Sequence, residues 1–144
     1  SIFDSTDREL FITGVQLEVG DVATPFEHED FGTTLAKCQR YYDKSYAIGT
    51  AAGTATFDGA LIGTKGNGAF DLQANFTQSM RAAPTITTDN PNDGTSGELR
   101  NLADVGSDNN TSVAQISEKR ALISGTTGTN DHVLSVHFEA AAEL

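Results

Sequence analysis

Hydrophobic and polar side chains alternate most cleanly over residues 69–77, where Phe70, Leu72, Ala74 and Phe76 interleave with Asp71, Gln73, Asn75 and Thr77. Successive side chains of a strand point to opposite faces, so this stretch predicts a strand with one dry and one wet face. The same period recurs over residues 132–140, with Leu134, Val136, Phe138 and Ala140 against Val133, Ser135, His137 and Glu139, and predicts a second half-buried strand. In residues 11–19 Phe11, Val15, Leu17 and Val19 share one parity, interrupted at Thr13, and a strand is expected there too. Further strands are expected over residues 54–62, 84–88, 98–103, 111–117 and 120–124. Gly63, Gly66 and the pair Asn67-Gly68, suited to positive φ, predict a hairpin joining residues 54–62 to residues 69–77.

The period changes once. Leu35, Cys38 and Tyr42 fall at i, i+3 and i+7, one face of a short helix beginning near Gly32, with Thr33 or Thr34 as its cap. The acidic residues Glu27, Glu29 and Asp30 suit the positive end of the helix dipole. Past Tyr41, glycine recurs at 49, 53, 59, 63, 66 and 68, too often for a second helix. Three polar connections separate the later strands, over residues 89–97, 104–110 and 125–131. Strands of this length and number predict an all-β fold, an antiparallel β-sandwich with one short N-terminal helix.

The chain of 144 residues is near the usual size of one domain. Thr, Ser, Gly and Asn occupy 50 of the positions, a composition for a turn-rich β protein and not for an acidic disordered tail. The net charge of −11 repels phosphate backbones, which argues against a nucleic-acid partner. The longest charge-free run, residues 45–57, falls far short of the ~20 apolar residues that cross a bilayer, so no membrane insertion is expected. A single cysteine allows no internal disulfide, so stability must come from packing or from partner chains.

Candidate chemistry is sparse. From Asp89, a calcium loop would require an oxygen ligand at Pro91 and a bidentate Glu at Arg100, and neither is present. Lys65 lies outside any phosphate-loop frame. His132 and His137, five apart on one strand, point to opposite faces and cannot share a metal. Cys38 on the apolar helix face reads as packing. No catalytic residue, resident metal or cofactor is expected. The three tyrosines, Tyr41, Tyr42 and Tyr46, lie within six residues and suit core or subunit-interface packing better than stacking on a sugar.

Several strings in order resemble the C-terminal regions of bacteriophage tail-fibre proteins. They are residues 12–20 with Gln16-Leu17-Glu18, residues 23–27 (ATPFE), residues 35–42 ending Cys38-Gln39-Arg40-Tyr41-Tyr42, residues 79–85 with Met80-Arg81 and Pro84-Thr85, and the terminal AAAEL. After ATPFE the family commonly has Arg, where this chain has His28, Glu29 and Asp30. The resemblance implies a homotrimeric domain at the distal tip of a virion tail fibre, joined to the rest of the fibre and adsorbing to a bacterial surface polysaccharide or outer-membrane component, with residues 1–30 as the strand and connector from a preceding fibre domain and residues 31–144 as the distal sandwich. A trimerisation module without receptor contact is the alternative. Tyr41, Tyr42 and Tyr46 would then pack around the threefold axis. Loops presented on a scaffold carry recognition more often than the scaffold does, so Asp89, Asn90, Asn92, Asp93, Asp108, Asn109, Asn130 and Asp131 are the candidate receptor contacts.

Overall fold

The structure is a computed structural model that describes residues 12–22, 24–26, 28–64, 70–103, 108–125 and 132–142. Among these, the elements in chain order are α1 (Phe31–Gln39), β1 (Tyr42–Lys44), β2 (Leu61–Thr64), β3 (Phe70–Asn75), β4 (Thr85–Asp89), β5 (Glu98–Asn101), β6 (Asn109–Ala114), β7 (Arg120–Gly125) and β8 (Val133–Ala141). The fold is mostly β, with one short helix, as the periodicity predicts.

The helix begins one turn before the expected cap. Asp30 is the N-cap, and its Oδ1 accepts the Thr33 N–H at 3.0 Å. Its two bonds from Thr33 lower the Asp30 carboxyl below its ordinary range. An Asp side chain reaches the orphan N–H groups that Thr33, itself already helical, cannot. The helix stops at Arg40, where Tyr41 N–H closes on the Cys38 carbonyl, and Tyr42 opens β1. Tyr42 therefore leaves the helical face on which it was expected. No helix residue is buried, and Cys38 is exposed in the single chain, contrary to its expected packing.

All strand pairs are antiparallel, and β8 is their hub. Leu134 is opposed by Gly63 of β2 and by Asn101 of β5, and Glu139 by Lys44 of β1 and Thr87 of β4, so β8 has partners on both edges. From β8 the sheet continues through β5, β6 and β7 to β3, and it curls until β3 returns beside β2. The curl encloses Ala74, Met80, Leu99, Ile123, Leu134, Val136, Phe138 and Ala140 in one core. Phe76 meets Phe138 with ring centroids 6.0 Å apart. β3 and β6 keep the expected alternation of inner and outer residues. β8 does not: Leu134 to Phe138 are all buried, because neighbouring segments cover its second face as well.

Three further expectations change. β2 pairs with β8 and β3 with β7, and among the described residues no strand pairing joins 54–64 to 70–77 as the expected hairpin requires; of its expected turn at residues 63–68, residues 65–68 lie outside the described residues. Of the strand expected over residues 54–62 only Leu61 and Ile62 are extended in β2. Gly53 and Gly59 adopt φ of +76° and +84°, and a Cβ on Gly59 would stand 2.2 Å from the Ser45 carbonyl oxygen, so the segment turns back on itself. Finally, among the described residues, 12–19 pair with no strand, and Leu17 is 99% and Val19 108% exposed.

Candidate functional site

Two of the polar connections expected to carry recognition meet at one end of the sheet through Asn90 and Asp108; of the third, residues 126–131 lie outside the described residues. β5 delivers Arg100 and Asn101 there, the chain returns at Asp108 into β6, and His132 leads into β8. Asp108 is the shared acceptor. Arg100 Nη1 donates to both its carboxylate oxygens at 3.1 Å, Asn90 Nδ2 donates to Oδ2 at 2.8 Å, and Asn101 N–H reaches Oδ1 at 3.4 Å. The Asn101 side chain is hydrogen-bonded to His132 Nδ1 at 2.7 Å. Residues far apart in sequence are thereby held together by a charged pair whose side chains are only 10% and 18% exposed. Such a pair is costly to break, because the surviving partner keeps its desolvation penalty.

Outside this buried frame lies a wet rim. Residues 90–97 form a closed excursion between β4 and β5: Asn90 N–H donates to the Thr95 carbonyl, Gly94 N–H to the Asn90 carbonyl and Gly97 N–H to the Thr88 carbonyl. Asn90 Oδ1 accepts Asn92 N–H and Asp93 Oδ1 accepts Thr95 N–H, two side-chain turns that rigidify the backbone. The bonds from Thr95 lower the Asp93 carboxyl below its usual range. Gly94 sits at φ +80°, and a Cβ there would stand 2.1 Å from the Gly53 carbonyl oxygen, so the excursion is pressed onto residues 51–55. Asn92, Asp93, Thr95 and Ser96 face solvent.

The candidate contacts therefore divide. Asn92 and Asp93 are exposed, and Asn109 is half-buried at the start of β6. Asn90 is fully buried and Asp108 largely so, which makes them framework and not surface. Asp89 is also removed from solvent: its Oδ2 accepts the Tyr46 hydroxyl at 3.0 Å and the Gly53 N–H at 3.2 Å. Asn130 and Asp131 lie outside the described residues. Arg100, Asn101 and His132 carry the frame and were not singled out by the sequence; a lone Arg in a strand flanked by acidic and amide-rich connections is the signal that points to them.

Tyr46 is likewise no candidate for an axial contact. At 4% exposure it stacks on His137, with centroids 3.8 Å apart and planes 12° from parallel. Burial, reinforced by the bond to Asp89, pushes its phenol up to about 12. His137 Nε2 faces the Thr56 carbonyl at 2.9 Å, which fixes the proton on Nε2 and leaves Nδ1 to accept from Ser45 Oγ at 2.8 Å. Ser45 Oγ in turn accepts the Phe138 N–H. Burial lowers the His137 pKa, keeping the ring neutral. This knot fastens residues 45–56 to β4 and β8, and both ring nitrogens are occupied by structural partners. Tyr41 and Tyr42 remain 42% and 41% exposed, the latter donating to Glu139 Oε2.

Among the described residues no group of three or more His, Cys, Asp or Glu side chains is placed to hold a metal ion. None of their helices is long and apolar enough to cross a membrane. No family model matches this chain, and neither curated proteins nor solved structures yield a match.

Proposed function

We propose that this chain is the receptor-binding distal domain of a phage tail fibre, a non-enzymatic part of the virion that adsorbs to a bacterial surface glycan or outer-membrane component. The observation that carries the reading is the convergence of separate polar connections on the Arg100–Asp108 pair, which presents Asn92, Asp93, Thr95 and Ser96 on a fixed support. Amides, carboxylates and hydroxyls match the hydroxyl groups of sugars, and a rigid support spares the ordering cost of binding. The ordered tail-fibre-like strings supply the virion setting. The curl of the sheet supports a sandwich, since Ala74 and Ile123 of β3 and β7 share a core with Leu134 and Val136 of β8.

The reading includes a homotrimer, in which repetition at the tip converts weak single-site affinity into avidity. A second reading, a trimerisation module that terminates the fibre, is favoured by the exposed apolar residues of the first 31 positions, including Leu17, Val19 and Phe31. Exchange of residues 90–97 for those of another fibre separates the two. Under the first reading adsorption of the purified domain to cells, and its competition with intact phage, change with the exchange; under the second they do not. A folded domain that neither binds host cells nor blocks phage adsorption overturns the receptor reading.

A further inference from the structure

Asp58-Gly59 and Asp93-Gly94 each set an exposed acid before a glycine that the fold fixes in place. Gly59 has φ +84°, and a Cβ on it would stand 2.2 Å from the Ser45 carbonyl oxygen. Gly94 has φ +80°, and its Cβ would stand 2.1 Å from the Gly53 carbonyl oxygen. No bulkier residue can follow Asp58 or Asp93 without strain, and glycine shields a peptide nitrogen least. Packing thus leaves each acid beside an unhindered backbone nitrogen.

The two pairs differ in what holds them. Gly94 N–H donates to the Asn90 carbonyl at 2.8 Å, and Asp93 Oδ1 accepts the Thr95 N–H at 2.9 Å. At the other pair the Ala60 N–H closes on the Phe57 carbonyl at 3.1 Å, and Gly59 but not Asp58 has a positive φ, which makes a type II turn. Asp58 gives its own N–H to Thr56 Oγ1, yet among the described residues neither its carboxylate nor the Gly59 N–H has a hydrogen-bond partner. The peptide linking residues 58 and 59 is the middle one of the turn. It can rotate toward the carboxyl group without breaking the bond that closes the turn.

We propose that Asp58 is a site of spontaneous isomerisation, and that its isoaspartyl form unseats the knot of Ser45, Tyr46 and His137. The Gly59 nitrogen bonds to the side-chain carboxyl carbon of Asp58, and the nitrogen's proton leaves with the carboxyl hydroxyl as water. Water then reopens the succinimide ring, either at the new bond, which restores Asp58, or at the original peptide bond. In the second case the main chain runs through the side-chain carbonyl and is one methylene longer, while the mass of the protein is unchanged. Gly59 has no room to absorb that methylene, because the Ser45 carbonyl and the Tyr46 Cα lie within 3.7 Å of where its Cβ would stand. Ser45 Oγ holds both the Phe138 N–H and His137 Nδ1, and Tyr46 stacks on the same imidazole, so a displacement at residue 59 is passed to β8. The inference is independent of the receptor-binding reading.

Trypsin separates the two pairs, since residues 45–65 and 82–100 are each released by cleavage after basic residues. The full folded chain is aged at neutral pH and digested, and isoaspartate is assigned to its residue by electron-transfer fragmentation. The expected result is isoaspartate accumulating at residue 58 at least about tenfold faster than at residue 93, because the Gly94 N–H must first open from Asn90. In urea the two rates should converge to within about threefold, since the hydrogen bonds that separate them are gone. The urea midpoint of the chain should fall as isoaspartate 58 builds up. Asp58→Glu, whose longer side chain cyclises slowly and replaces a carboxylate without a partner, should keep its midpoint on ageing. No isoaspartate at residue 58 in the folded chain, equal folded-state rates at 58 and 93, or a contrast that persists undiminished in urea overturns the proposed site. A midpoint that stays constant as isoaspartate 58 accumulates, or that falls equally in aged Asp58→Glu, overturns its link to the knot.

Discussion

Replacing Asp108 with alanine removes one carboxylate and four contacts from three donors: two from Arg100 Nη1, one from the Asn90 amide and one from the Asn101 N–H. Arg100 is 9% exposed and cannot turn out to water without dragging β5, whose Leu99 is fully buried. Breaking a buried pair by removing one partner costs about 3–5 kcal/mol. Asp108 retains some solvent contact, so the lower end applies and about 3 kcal/mol is expected. For a chain of this length that corresponds to roughly 6–12 °C in Tm. Asp108→Asn keeps an acceptor and should cost about half as much. Removing both charges together, Arg100→Met with Asp108→Leu, should recover at least about 1 kcal/mol relative to the sum of the single losses. Urea denaturation at one fixed protein concentration measures these three variants and the Arg100→Met and Asp108→Leu singles, because assembly would otherwise shift the midpoint. A loss below about 0.5 kcal/mol for Asp108→Ala, or strict additivity in the double variant, refutes the claim that this pair holds the polar end together.

His137 gives the fold an acid-side slope: its folded pKa lies below the ordinary 6.5, so the unfolded chain takes the proton first. The stability it contributes is present above about pH 6.5 and is lost as pH falls toward the folded value. His137→Gln should flatten the slope in urea midpoints taken between about pH 7 and pH 5; an unchanged slope would show that other groups cause it. Gly94→Ala combines an unfavourable positive φ with a clash at the Gly53 carbonyl and should cost about 2–3 kcal/mol, read as a lower urea midpoint. Asn92→Ala with Asp93→Ala touches exposed side chains and the one turn closed by Asp93 Oδ1, so stability should move by no more than about 1 kcal/mol while, under the proposed receptor-binding function, adsorption to host cells falls.

The elements whose stabilising contacts are local were legible in the sequence. The alternation of Leu72 and Ala74 with Asp71, Gln73 and Asn75 matches the inner and outer faces of β3, and the helix lies where its spacing placed it, although its cap is Asp30 and not Thr33 or Thr34. What failed depends on partners distant in the chain. β8 resembles β3 in pattern, yet Ser135 and His137 are fully buried because β1, β2, β4 and β5 all add to it. Ala55, Phe57 and Leu61 suggested a strand, and the positive φ of Gly53 and Gly59 outweighed that signal once Tyr46, Asp89 and His137 fixed the loop. Asp89 and Asn90 looked like surface residues in an Asp/Asn-rich string. Their burial follows from Tyr46, Gly53 and Asp108, none of which a window of neighbouring residues reveals.

The first strand expectation shows a different limit. Period-two patterning over residues 11–19 states how the segment can pair and which face must be dry, but not whose edge completes it. In the single chain that condition is unmet, whereas the polar end is already closed around Arg100 and Asp108. Under the proposed trimeric reading, the two ends therefore depend on assembly in opposite ways. Under the proposed trimeric receptor-binding reading, a variant that keeps the chain monomeric should leave the geometry of Asn92, Asp93 and Ser96, and hence single-site affinity for receptor, unchanged. It should nonetheless lose adsorption, since only linked copies raise the effective concentration of the second and third contacts. Loss of single-site affinity in such a variant would instead place the recognition surface across subunits, where the exposed Tyr41 and Tyr42 would have to contribute to it.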